Sequence, residues 1–181
     1  MKIGFGWGVG ALALAMCGLV PGAGAQAQAG PAGAGLTGAC GAAEVKFEVK
    51  SDFDTAYAPK AEAGKALVYL IQDDRMYLVR PRPTTRWGID GAWVGATQFD
   101  AYFAVSVAPG EHHLCAEWQG NDNAVSLAHF TAEAGKTYYF RATDVLVNTL
   151  ETRSIWLGPM DSDEGSLWAS RLRVSVATPK S

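Results

Sequence analysis

Short blocks of alternating apolar and polar residues recur between positions 44 and 142. Residues 44–50, EVKFEVK, put Val45, Phe47 and Val49 on one face and charges on the other, which predicts a strand with one wet face. Residues 66–71, ALVYLI, are apolar on both faces and predict a central, buried strand. Asp73-Asp74-Arg75 reads as a turn, and a short strand over 76–79 is ended by Pro81 and Pro83. Residues 86–89 and 92–94 flank Asp90-Gly91, a tight hairpin signal. Residues 101–107 (AYFAVSV) and 111–118 flank a second turn at Pro109-Gly110. In the latter strand Leu114, Ala116 and Trp118 share one face, while His113, Cys115 and Glu117 share the other, so Cys115 points away from the core. A turn at 121–123, strands over 125–131 and 136–142 around a 133–135 turn, and a last strand over 154–157 complete the series.

Short strands punctuated by Gly, Pro, Asn and Asp predict an antiparallel β-sandwich of immunoglobulin-like type. One short C-terminal helix is added by periodicity. Asp161 and Glu164 have capping-box spacing, and Leu167, Trp168, Arg171 and Leu172 follow at helical intervals, although Gly165 weakens the helix. The expected organisation is an export signal over 1–25, a flexible leader over 26–39, the sandwich over 40–176 and a frayed tail over 177–181.

The first 25 residues carry Lys2, an apolar stretch centred on ALALAM, the breaker Pro21 and the small-x-small site Ala23-Gly24-Ala25. That pattern predicts cleavage before Gln26 and export to the periplasm or cell surface. Leu14-Ala15-Met16-Cys17 approximates a bacterial lipobox, so lipidation at Cys17 is the alternative, and the only route by which this chain meets a membrane. Between Gly22 and Gly35, 11 of 14 residues are Ala or Gly, which offers almost nothing to bury.

Charge removes one class of partner. Lys and Arg total 15 against 18 Asp and Glu, a net charge of −3, and that balance argues against a chain that neutralises a row of phosphates on nucleic acid. Of three cysteines, removal of the signal leaves Cys40 and Cys115, and an even number in an exported chain predicts a disulfide.

No GxSxG, Walker A or HExxH motif is present, and the cysteines are expected to pair rather than attack a substrate, so the chain reads as a non-enzyme without cofactor. The acidic clusters, Asp73-Asp74 and Asp161 to Glu164, have ordinary readings as a turn and a helix start. A small hydrolase using Glu111 and Glu117 is the weakest alternative. Adjacent His112 and His113 point to opposite faces, and a metal would need His113 with Glu111 or Glu117; no metal site is expected. Trp87 and Trp93 flank the Asp90-Gly91 hairpin and are the candidates for an exposed sugar-stacking surface, with burial in the core as the competing reading.

Four segments occur in a telling order: GKALVYLI (64–71), GIDGAWVGA (88–96), YFAVSVAPGEHHL (102–114) and EAGKTYYFR (133–141). Together they resemble a bacterial domain-of-unknown-function family, number twenty-eight forty-six, and more loosely the PEGA class of surface β-domains. The resemblance implies an extracytoplasmic β-sandwich without established activity and carries over no catalytic residue. The expected function is therefore that of a non-catalytic module whose partner is an envelope protein or glycan, with carbohydrate or peptidoglycan binding as the alternative.

Overall fold

The computed structural model describes residues 38–54, 56–75, 82–121, 124–146 and 153–180. The export segment 1–25 with Cys17, the leader as far as residue 37, the expected strand at 76–79 and positions 122–123 of the expected turn lie outside the described residues.

The elements in chain order are β1 (Phe47–Asp52), β2 (Ala66–Asp73), β3 (Thr84–Ile89), β4 (Ala92–Gln98), β5 (Ala101–Val107), β6 (Gly110–Trp118), β7 (Val125–Ala132), β8 (Thr137–Leu146), β9 (Arg153–Pro159), α1 (Ser162–Ala169) and β10 (Arg173–Pro179). They form a six-stranded sheet, β1-β10-β5-β2-β8-β9, and a four-stranded sheet, β4-β3-β6-β7. Val68, Leu70, Phe103 and Phe140 of the first sheet meet Trp87, Ile89, Leu114 and Trp118 of the second, giving the core of a β-sandwich with one short helix near the C-terminus. The larger sheet departs from the antiparallel expectation, because β2 runs parallel to β8 and β10 parallel to β5. Alternation reports which face is buried and carries no information on strand direction. The apolar run in β2 fits a strand covered on both faces, with the core on one side and the helix layer on the other.

The hairpin between β3 and β4 turns on Asp90 (φ 50°) and Gly91 (φ 84°). Two positive φ values in succession match the right-handed twist of the flanking strands. Asp90 also ties this turn to β6, the neighbour of β3 in the sheet: Oδ1 accepts from the His113 N–H at 2.8 Å, and Oδ2 lies 2.6 Å from His112 Nδ1.

The expected frayed tail is corrected. Residues 173–179 form β10, which pairs with β1 from Asp52↔Val174 to Phe47↔Pro179, and the Lys180 N–H donates to Lys46 O at 2.8 Å. The helix ends at Ala169, before Arg171 and Leu172. Its cap is also simpler than a capping box. Asp161 Oδ1 accepts from the Asp163 N–H at 2.8 Å, whereas Glu164 turns aside to Arg141 at 3.1 Å. Gly165 has a steric cause: a methyl group there would collide with the ring of Tyr139, on which the helix rests.

The leader boundary is corrected too, because Ala39 is buried within the fold. Cys40 and Cys115 form the expected disulfide, with Cα atoms 5.1 Å apart across 75 positions. Cys115 does point away from the core, yet it is fully buried, because residues 39–45 form a strap over that face. Gly88 provides the seat, where any side chain would strike Ala39 O. Arg86 clasps the strap through Nη1, which donates to Ala43 O at 2.8 Å and Val45 O at 2.6 Å.

Candidate functional site

The two tryptophans proposed for ligand stacking are kept apart by the pleat of their sheet. Trp87 points inward from β3, is fully buried, and donates its Nε1–H to Thr97 Oγ1 at 2.7 Å. It is a core residue with a satisfied polar handle, which corrects its assignment to a binding surface. Trp93 points outward from β4 and belongs to the strap's seat. Its Nε1–H donates to Ala42 O at 2.7 Å, Gly41 packs against its pyrrole edge, and the Arg86 guanidinium stands 4.4 Å from the ring centre. No paired aromatic platform arises from these two residues.

The carboxylates proposed for hydrolysis are also separated. Glu111 and Glu117 lie on one face of β6 but six positions apart, about 20 Å along a strand. Glycosidase pairs stand within about 10 Å of each other. Glu117 is moreover buried and held by Arg86 Nη2 at 2.7 Å. Its carboxylate lies within 4.8 Å of both sulfurs of Cys40 and Cys115. Those sulfurs are bonded to each other, so neither offers a thiolate to a metal. His113 faces His129 directly across β6 and β7, with ring centres 6.4 Å apart, whereas His112 turns to the core side against Phe130. Both His112 nitrogens face acceptors, Asp90 Oδ2 at 2.6 Å and Ala108 O at 2.7 Å. Burial alone would lower its pKa, but these two partners outweigh it and hold the imidazole above its ordinary value.

A concave feature lies elsewhere, at the end of the sandwich where β2 ends and β5 and β10 begin. A cleft of about 540 Å³ is lined by Phe53, Arg75, Arg82, Phe99, Asp100, Arg171, Leu172 and Arg173. Three of its four arginines are held in place, by carboxylates and by aromatic rings. Arg75 grips Asp73 with both Nε (2.8 Å) and Nη2 (3.0 Å) and stands 3.8 Å over the Trp168 ring. Arg82 Nη1 donates to Asp100 Oδ2 at 3.1 Å, with its guanidinium 5.9 Å from the Phe99 ring. Arg173 lies 5.0 Å over Phe53, itself 62% exposed at the rim. Burial pushes the Asp73 carboxyl up, but its bonds to Arg75 outweigh that and hold it below its usual value.

Behind this cleft lies Asp74, which the sequence placed in a solvated turn. It is 1% exposed. Its Oδ2 accepts from Gln72 Nε2, and its N–H donates to Asp100 Oδ1 at 3.0 Å. Burial, reinforced by the negative charges of Asp100 and Asp144 and opposed by Gln72 and Arg82, pushes its carboxyl up to about 7. Asp100 therefore links the buried acid to the arginine surface through its two oxygens.

Fold and site together define a mixed-sheet β-sandwich with a disulfide-fastened N-terminal strap and a cationic cleft at one end. The family model described as "Protein of unknown function (DUF2846)" matches residues 62–152, half of the 181-residue chain, and the protein belongs to that family. The matched segment runs from just before β2 to just beyond β8 and contains Arg75, Arg82, Phe99 and Asp100. Phe53, Arg171, Leu172 and Arg173 complete the cleft from outside it. No curated protein and no solved structure matches the chain.

Proposed function

We propose that the protein is an exported, non-catalytic binding module of the cell envelope, with the arginine-lined cleft as its ligand surface. The cleft carries the reading: it gathers fixed guanidinium groups and aromatic walls in a volume suited to a ligand. Its carboxylate, Asp100, is engaged by Arg82, and Asp73 is engaged by Arg75 of the cleft, an arrangement suited to holding a ligand rather than to proton transfer. The partner is an envelope glycan or protein bearing negative charge. Export is supported by the Cys40–Cys115 disulfide, a bond that persists in oxidising compartments. Lipidation at Cys17 would anchor the module to a membrane.

Fractionation of the native host, with intact mass measured before and after reduction, tests this reading. A chain beginning near Gln26, outside the cytoplasm, that gains two hydrogens on reduction is the expected result. A start at Cys17 with added acyl mass makes the same module a tethered one. A full-length, reduced chain in the cytoplasm overturns it.

A further inference from the structure

The charge of the cleft narrows the ligand class, an inference that rests on the binding-module reading above. The chain contains eight arginines, and four of them line this one cleft, although the protein as a whole carries a net charge of −3. Asp73 neutralises Arg75 and Asp100 neutralises Arg82. Arg171 and Arg173 face the same space with no carboxylate partner among the described residues. The cleft thus holds an excess of about two positive charges, which matches a phosphate monoester (about −1.5 to −2) better than a single carboxylate. A planar guanidinium also offers paired N–H donors at the spacing of phosphate oxygens.

Three of the four guanidinium groups are positioned before any ligand arrives, by Trp168, Phe99 and Phe53 together with the two aspartates. Preorganisation of this kind lowers the entropy lost on binding. Leu172 and the exposed edge of Phe53 supply apolar wall beside the charges, and the volume of about 540 Å³ leaves room for a ring attached to the phosphate.

We infer that this cleft binds a phosphate monoester carried on a ring-bearing group such as a sugar, with Arg171 and Arg173 contacting the phosphate and Phe53 flanking its carrier. The same chemistry can come free in solution or presented at a membrane surface.

Calorimetric titration of the mature chain at pH 6.5 with glucose 6-phosphate, glucuronate and glucose is the test, beside co-sedimentation with phosphatidate-containing and pure phosphatidylcholine vesicles. The comparison protein is Arg171→Gln/Arg173→Gln, whose two changes fall on exposed side chains; an unchanged melting temperature verifies its fold. Glucose 6-phosphate is expected to bind at least about tenfold more tightly than glucuronate, and to weaken about tenfold for each arginine removed. Arginine-dependent binding to phosphatidate vesicles alone also supports the phosphate site and makes the membrane its source. Failure of both phosphate probes, equal binding of glucuronate, or undiminished binding by the variant overturns the inference. Any of these leaves the envelope reading to the mass and fractionation data. Conversely, a reduced cytoplasmic chain that binds glucose 6-phosphate removes the envelope reading and keeps the phosphate site.

Discussion

Replacing Asp74 with Asn isolates the cost of a buried carboxyl. In the native protein Asp74 titrates near 7, against 3.8 for the unperturbed group, chiefly because burial strips its solvent and secondarily because Asp100 and Asp144 stand near it. A carboxyl whose folded pKa is raised binds more protons in the folded state than in the unfolded one. It therefore gives full stability below about pH 4 and loses it as pH rises towards 7. The loss amounts to about 4 kcal/mol once the group is ionised. Asn keeps an oxygen for Gln72 Nε2 and cannot ionise. The unfolding free energy from urea denaturation, measured for both proteins at pH 4, 6 and 8.5, reads the effect. The variant is expected to gain about 3–4 kcal/mol on the native protein between pH 4 and pH 8.5, with most of that gained by pH 7. Asp73 and His112 titrate in both chains and largely cancel in the difference. A difference that stays flat to within about 0.5 kcal/mol would refute the claim that desolvation governs this site.

Three further outcomes follow from the strap and its neighbours. Cys40→Ser/Cys115→Ser should lower stability by up to about 4.5 kcal/mol, the chain-entropy value for a loop of this length, seen as a lower urea midpoint; an unchanged midpoint contradicts it. Arg86→Met strands the buried Glu117 carboxylate and should cost about 3–5 kcal/mol, whereas Arg86→Met/Glu117→Leu should restore most of it; a double-mutant cycle with no coupling counts against the pair. The stability contributed by His112, whose pKa is raised, is present below its unfolded value and lost as pH rises through the folded one. His112→Ala should therefore cost most near pH 5 and less at pH 9, and a cost independent of pH rules out the charged ring.

Sandwich, hairpins and disulfide were legible because each rests on local pattern. Alternation marks a strand face, Asp90-Gly91 marks its turn, and two cysteines remain once the expected export segment is set aside. Features set by distant partners were not legible. No strand is legible over 173–179, and the chain from 177 reads as a frayed tail, because the partners of this segment are β1 and β5, far back in the chain. Trp87 flanks the Asp90-Gly91 turn and so reads as a surface candidate, but the facing sheet covers one face of β3 and the strap over Arg86 covers the other. Asp74 lies between two charged residues, and nothing local separates a solvated turn from an acid sealed behind Asp100. The cleft leaves no mark in the sequence for the same reason, since its arginines span positions 75 to 173 and meet only in the folded chain.

The strap sets the load path through the molecule. Tension applied from residues before 38 reaches Cys40 first and passes through a covalent bond into β6, an interior strand of the four-stranded sheet. β1, at the edge of the other sheet and paired only with β10, lies downstream of that bond. A pull from the N-terminal side therefore bears on the middle of a sheet instead of peeling an edge strand one hydrogen bond at a time. Reduction of the disulfide would pass the same pull along the strap to β1.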